Sequence, residues 1–124
     1  MTFALWMILA AIVLPILTTG LAKAGAPRMD NNQPRIWRQS LTGWRRRADW
    51  AHRNHFEALP PFAAAILVAT IAHANAGTTN ILAGIWLLFR LAYTACYITD
   101  RASLRSLMWG GGFACVVALF VISG

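Results

Sequence analysis

Apolar residues fill four long stretches of this chain, Phe3–Ala22, Phe56–Ala76, Ile81–Ile98 and Leu104–Ile122, and polar residues collect between them. Each stretch approaches the roughly 20 residues that cross about 30 Å of hydrocarbon at about 1.5 Å per residue. The pattern predicts an all-α, integral membrane four-helix bundle, with helices near 3–22, 54–76, 81–99 and 103–122. The segments between them are too short and too polar to fold alone, so a single transmembrane domain is expected over 1–124. Prolines punctuate the pattern. Pro15 should bend the first helix, and Pro60 and Pro61 free the carbonyls of Phe56 and Glu57 in the second.

Composition agrees with lipid as the solvent. The chain is 58% hydrophobic and 12% charged, where soluble domains run near ~45–50% and ~25%. The net charge of +7 is placed unevenly. The basic loop 23–53 carries Lys23, Arg28, Arg35, Arg38, Arg45, Arg46, Arg47 and Arg53, and the third connection carries Arg101 and Arg105. The second connection, His73–Asn80, and both termini carry none. Lys and Arg near span ends stay on the cytoplasmic side, so the first and third loops are expected inside and both termini outside. This border clustering is what topology requires and speaks against a nucleic-acid partner, which needs a basic face on a soluble fold. Residues Leu21–Ala26 imitate a signal-peptide cut, but Met1–Trp6 has no basic residue and the charge follows the apolar run.

Within the basic loop, Asp30-Asn31-Asn32-Gln33-Pro34 breaks any helix. Ile36, Trp37, Leu41 and Trp44 then recur at near-helical spacing among arginines. That suits a short helix lying against membrane lipid. A solvated loop that only sets topology fits the same residues.

Two polar constellations interrupt the apolar spans. In the second helix Asn54 and Glu57 are three apart and share a face, Arg53 and Glu57 are four apart, and Arg47 lies on the same side. In the third, Arg90, Tyr93, Tyr97 and Asp100 form a stripe at spacings of three, four and three. Arg90 sits near mid-span and keeps its proton, so it needs a companion, and Glu57 is the natural candidate. Convergent polar groups in an apolar setting are what orient a small polar ligand. Arg101 and Arg105 would stand at the mouth of such a site, while Gly110-Gly111-Gly112 offers a close-packing surface. Cys96 and Cys115 fall inside apolar segments, as small hydrophobes do. His52 and His55 have no third ligand at metal spacing and read as interfacial imidazoles, so no metal site is expected.

Ala51-His52-Arg53-Asn54-His55-Phe56-Glu57 followed by Pro60, with Arg90-Leu91-Ala92-Tyr93 and Tyr97, resembles the MAPEG family, the membrane-associated proteins of eicosanoid and glutathione metabolism, in a bacterial-type member. The resemblance implies a homotrimer in the cell inner membrane, with glutathione as co-substrate bound between subunits near the cytoplasmic side. It implies that Asn54 and Glu57 contact the tripeptide, that Tyr93 and Tyr97 line the pocket, and that Arg90 belongs to the polar core. It assigns the thiolate-stabilising, catalytic arginine to Arg105 or Arg101. The chain departs from the family pattern at Trp50, where an arginine often stands, and at Ala58, where some members have tyrosine. Arg47 or Arg53 would then have to meet the tripeptide's carboxylates.

The function implied is a membrane glutathione transferase or peroxidase acting on a small apolar electrophile. A noncatalytic membrane subunit or scaffold that keeps the fold is the alternative, favoured by the two departures. A small proton-coupled exporter is a third, opposed by the one-sided basic bias and by Arg90, which would hold Glu57 ionised.

Overall fold

The computed structural model describes residues 1–124. The chain is all-helical, without strands: α1 (Phe3–Lys23), α2 (Pro34–Ser40), α3 (Gly43–Ile71), α4 (Ala76–Ile98) and α5 (Ala102–Val121). Three helices, α1, α4 and α5, are long and apolar enough to cross a membrane. The fourth long helix, α3, has an apolar C-terminal half and a strongly basic N-terminal half.

Local chemistry explains where the helices begin and end. Pro34 opens α2, where its missing N–H and fixed φ cost nothing. Asn75 caps α4 by accepting the Thr78 amide at 2.9 Å, so α4 starts ahead of its apolar stretch. Two helix ends close with a left-handed residue, His73 at φ 55° and Asp100 at φ 61°. In each the next amide reaches back across the last turn, Ala74 to the Ala69 carbonyl and Arg101 to the Cys96 carbonyl, as a Schellman motif requires. Asp100 therefore lies beyond α4 and does not extend the stripe of Arg90, Tyr93 and Tyr97 as the spacing suggested.

The expected loop over 23–53 is largely structured. It holds α2 and the first turns of α3, which starts at Gly43, well before residue 54. The arginines there look like solvated groups in the sequence, but they bond backbone carbonyls. Arg45 Nε donates to the Ala24 carbonyl at 3.0 Å, Arg46 Nε to that of Leu41 at 2.7 Å, and Arg47 Nη2 to that of Ile98 at 3.0 Å. Beneath them Ala22, Leu41 and Ala48 make a small core of their own, against which Trp37 packs.

The long helices pack in a rhombus. α3 and α4 meet along the short diagonal, α1 fits the groove on one side and α5 the other, and α1 and α5 do not touch. The main core lies on the diagonal. Phe62 and Trp86 stack face to face at 3.7 Å, surrounded by Ala4, Ala11, Ala65, Ile66, Ala83, Val116 and Leu119. Small residues bring the backbones close, the packing mode expected where lipid removes the hydrophobic drive between helices. Only Gly111 of the glycine triplet is a tight contact. A Cβ there would come within 2.4 Å of the Phe89 ring, whereas one on Gly110 would meet nothing. Large apolar side chains cover the outside, including Leu17, Ile71 and Leu88 at 62%, 77% and 65% exposure. Such a surface suits contact with lipid or with another subunit.

Candidate functional site

Where the apolar part of α3 begins, a hydrogen-bond relay joins α3 to α4, and its proton positions follow from chemistry alone. A guanidinium only donates and a carboxylate only accepts. Arg90 Nη2 lies 2.9 Å from Asn54 Oδ1, and Asn54 Nδ2 lies 2.9 Å from Glu57 Oε2. The Asn54 amide can face only one way: oxygen to the arginine, nitrogen to the glutamate. Arg90 Nε and Nη2 also lie 3.2 and 2.8 Å from His55 Nδ1. That nitrogen must accept, so it carries no proton, and the imidazole is neutral with its hydrogen on Nε2. Nε2–H then donates to Thr94 Oγ1 at 2.8 Å, and the Thr94 hydroxyl donates to the Arg90 carbonyl at 3.0 Å. The relay closes on the backbone of the residue it began with.

Arg90 is therefore not paired directly with Glu57, as the sequence suggested. Asn54 stands between them. Arg90 is 2% exposed, and its planar group lies 4.4 Å from the Tyr93 ring centroid. A buried guanidinium held by an amide, a neutral imidazole and an aromatic face keeps its full charge with no carboxylate against it. The sequence reading placed His55 at the interface. It is 2% exposed and central to the relay. The signal that could have found it is its position next to Asn54 on the side of α3 that faces Arg90 and Thr94. His52 goes elsewhere. Its Nδ1 sits 2.7 Å from the Pro15 carbonyl and 2.6 Å from Thr19 Oγ1, tying α3 to α1. Because a carbonyl only accepts, His52 carries its proton on Nδ1.

Two clefts meet at Asn54 and Glu57. The polar one, about 450 Å³, is lined by Trp50, Arg53, Asn54, Glu57, Tyr93 and Tyr97. The second, about 220 Å³, lies among α3, α4 and α5, with Ala58, Pro61, Trp86, Trp109, Phe113 and Val116 as its apolar wall. Arg90 reaches that second cleft from behind, and its Nη1 makes no hydrogen bond within the chain. Glu57 thus borders a polar and an apolar space at once, with Oε1 unbonded. Tyr93 and Tyr97 meet edge to face at 5.4 Å, and Trp50 leans on Tyr97 at 6.2 Å.

The remaining arginines separate by what they touch. Arg105 stacks on Tyr97, its guanidinium carbon 4.5 Å from the ring, and so stands beside the polar cleft. Arg101 is exposed at the α5 N-cap, with its backbone amide spent on the helix end. Arg47 is committed to the end of α4, bonding the Ile98 carbonyl with Asp100 at 4.0 Å, where a cation also suits the helix dipole. Arg53 turns away from Glu57 and donates to Asp49 Oδ2 at 3.1 Å, yet its side chain is 57% exposed and lines the polar cleft. Asp49, 3% exposed, also takes Arg38 at 2.8 Å and so fastens α2 to α3.

Compared with known proteins, the chain matches the model of the MAPEG family over residues 3–124. No curated protein and no solved structure matches it.

Proposed function

The chain belongs to the MAPEG family, and on that premise we propose that it is a four-span membrane protein that binds glutathione and uses it as a transferase or peroxidase. In this reading α3 is the fourth span, the subunits form a homotrimer in the inner membrane, the basic first and third connections face the cytoplasm, and both termini face outward. The observation that carries the reading is the meeting of the polar and apolar clefts at Asn54 and Glu57.

Glutathione brings an ammonium, two carboxylates and a thiol. Glu57 has one oxygen fixed by Asn54 and the other free, which suits the ammonium or a peptide N–H. Arg53 offers an exposed guanidinium to a carboxylate in the same cleft. Of the two candidates at the start of α5, the position of Arg105 on Tyr97 favours it for the thiol. A nearby cation lowers a thiol's pKa from about 8.5, and a guanidinium does so without exchanging its own proton. The thiolate sulfur would then bond to the electrophilic carbon of a small apolar substrate while that carbon's leaving group departs with the electron pair. The apolar cleft, walled by Trp109 and Phe113, gives such a substrate a lipid-side approach.

Thermal unfolding in detergent tests this. Saturating glutathione should raise the midpoint of the native protein, and Glu57→Ala should abolish the rise. No rise in the native protein would remove glutathione from the account and leave a noncatalytic subunit with a polar seam. Trp50 in the polar cleft's wall, where relatives often carry arginine, favours that second reading.

A further inference from the structure

The cations of loop 23–53 are not equivalent once their contacts are traced. Arg38 and Arg53 neutralise Asp49, Arg46 bonds the carbonyls of Leu41 and Gln39, and Arg47 closes the end of α4. Two others converge on the end of α1, and a third lies beyond it in the chain. Lys23 is the last residue of that helix, is exposed, and has no bonded partner. Arg45 reaches from α3 across to the Ala24 carbonyl, its Nη2 lying 3.0 Å from where a Cβ on Gly25 would stand. Arg28 follows just beyond Pro27, exposed and also without a partner. The turn that carries them is braced by the Trp37 indole, which donates to the Pro27 carbonyl at 3.0 Å.

Arg45 is held by groups that leave its charge intact. Its Nε is spent on a carbonyl, and its plane lies 4.6 Å from the Trp44 ring centroid. The four remaining N–H donors carry no bond within the chain and no carboxylate faces them. A fixed guanidinium of this kind, beside an exposed lysine and an exposed indole, is a receptor for a phosphate ester. Its depth narrows the source. α1 has 21 residues and the apolar character of a span, and at about 1.5 Å per residue it consumes the hydrocarbon thickness. Lys23 and the Arg45–Trp44 pair then stand at headgroup level, where indole rings settle.

We infer that the Lys23–Arg45–Trp44 cluster at the end of α1 is a binding site for the headgroup of an anionic phospholipid. Arg45 takes the phosphodiester, Lys23 and Arg28 supply the field, and Trp44 covers the glycerol backbone. The site is separate from the clefts at Asn54 and Glu57, and it uses the part of the basic loop that the polar cleft does not.

The test is lipid retention by the intact protein from mixed micelles holding equal phosphatidylglycerol and phosphatidylcholine, read by native mass spectrometry. The native protein should retain phosphatidylglycerol preferentially, and each cation removed near an anionic surface should cut that preference roughly fivefold. Lys23→Gln and Arg28→Gln alter exposed, unbonded side chains and should each lower it without unfolding the protein. Arg45→Lys keeps the charge but loses the fork and the stack, and should lower it further. Brominated phosphatidylglycerol should quench tryptophan emission of the native protein more than that of Trp44→Phe. Equal retention of the two lipids by the native protein would overturn the site, as would a preference unchanged in all three cation variants. Competition by millimolar inorganic phosphate as strong as that by lipid would assign the cluster to a soluble anion and overturn the lipid as its occupant.

Discussion

The same two helices, α3 and α4, meet in two layers that are held in opposite ways. In the layer farther from the basic connections Phe62 and Trp86 lie flat against each other among alanines and branched apolar side chains. In the layer nearer the basic connections, Asn54, His55, Arg90 and Thr94 meet through directed hydrogen bonds. The first layer specifies how close the helices come. The second specifies how α3 is turned about its axis, because a rotation that kept the contact area would leave donors facing donors. Shape supplies proximity and the donor–acceptor rules supply orientation. The polar cleft opens beside the second layer, where orientation matters to a ligand.

The largest effect should come from the apolar layer. Phe62→Ala empties the space over Trp86 and should cost about 3–5 kcal/mol of stability, measured by unfolding in mixed micelles of increasing SDS fraction. The change removes no group from the polar cleft, so protein that remains folded should still gain a glutathione-dependent rise in midpoint. Loss of that rise in protein that is still folded before heating would show that the layers are not separable.

Arg90→Leu should act the other way round. It strands the buried Nδ1 of His55 and frees Asn54, a cost of about 1–3 kcal/mol. It also removes the desolvation of a buried guanidinium, which offsets part of that cost. Stability should fall less than in Phe62→Ala, yet the rise in midpoint with glutathione should vanish, because Asn54 no longer fixes the Glu57 carboxylate. A variant as unstable as Phe62→Ala, or one that binds glutathione normally, would reverse the roles given to the two layers.

What was legible in the sequence divides along the same line. Four apolar stretches, the break at Asp30–Pro34, the Asn54–Glu57 face and the Arg90–Tyr93 face can each be read from spacing, because each depends on one helix at a time. The residues that carry the family resemblance lie among them, and the family match spans the chain. Which atom meets which could not be read. Glu57 was the electrostatic choice for Arg90, but a charge argument ignores how α3 is turned, and the turn presents Asn54 and His55 instead. The early start of α3 was hidden for a related reason. Arg45, Arg46 and Arg47 resemble a loop until their carbonyl acceptors on α1, the α2 end and α4 are in place. Arg105 and Arg101 are alike in sequence, and only the position of Tyr97 separates them.

The smallest effect should be the most discriminating. Thr94→Val keeps the volume of the side chain and removes only its hydroxyl, which takes part in two hydrogen bonds, at about 1 kcal/mol, the low end of the cost of stranding a buried donor. It leaves the His55 Nε2–H without an acceptor. If the relay is directed, the ring is then free to turn, no longer holds Nδ1 squarely against the Arg90 donors, and so loosens the guanidinium's hold on Asn54. Glutathione affinity should therefore fall by more than the stability loss alone implies, and Thr94→Ser, which restores a hydroxyl, should recover it. Nitrogen chemical shifts of His55 would report the proton's position directly, with Nδ1 unprotonated in the native protein and in Thr94→Ser. A fall in affinity that Thr94→Ser does not recover would mean that Thr94 acts through packing, and the polar layer would then be a second apolar layer with charges embedded in it.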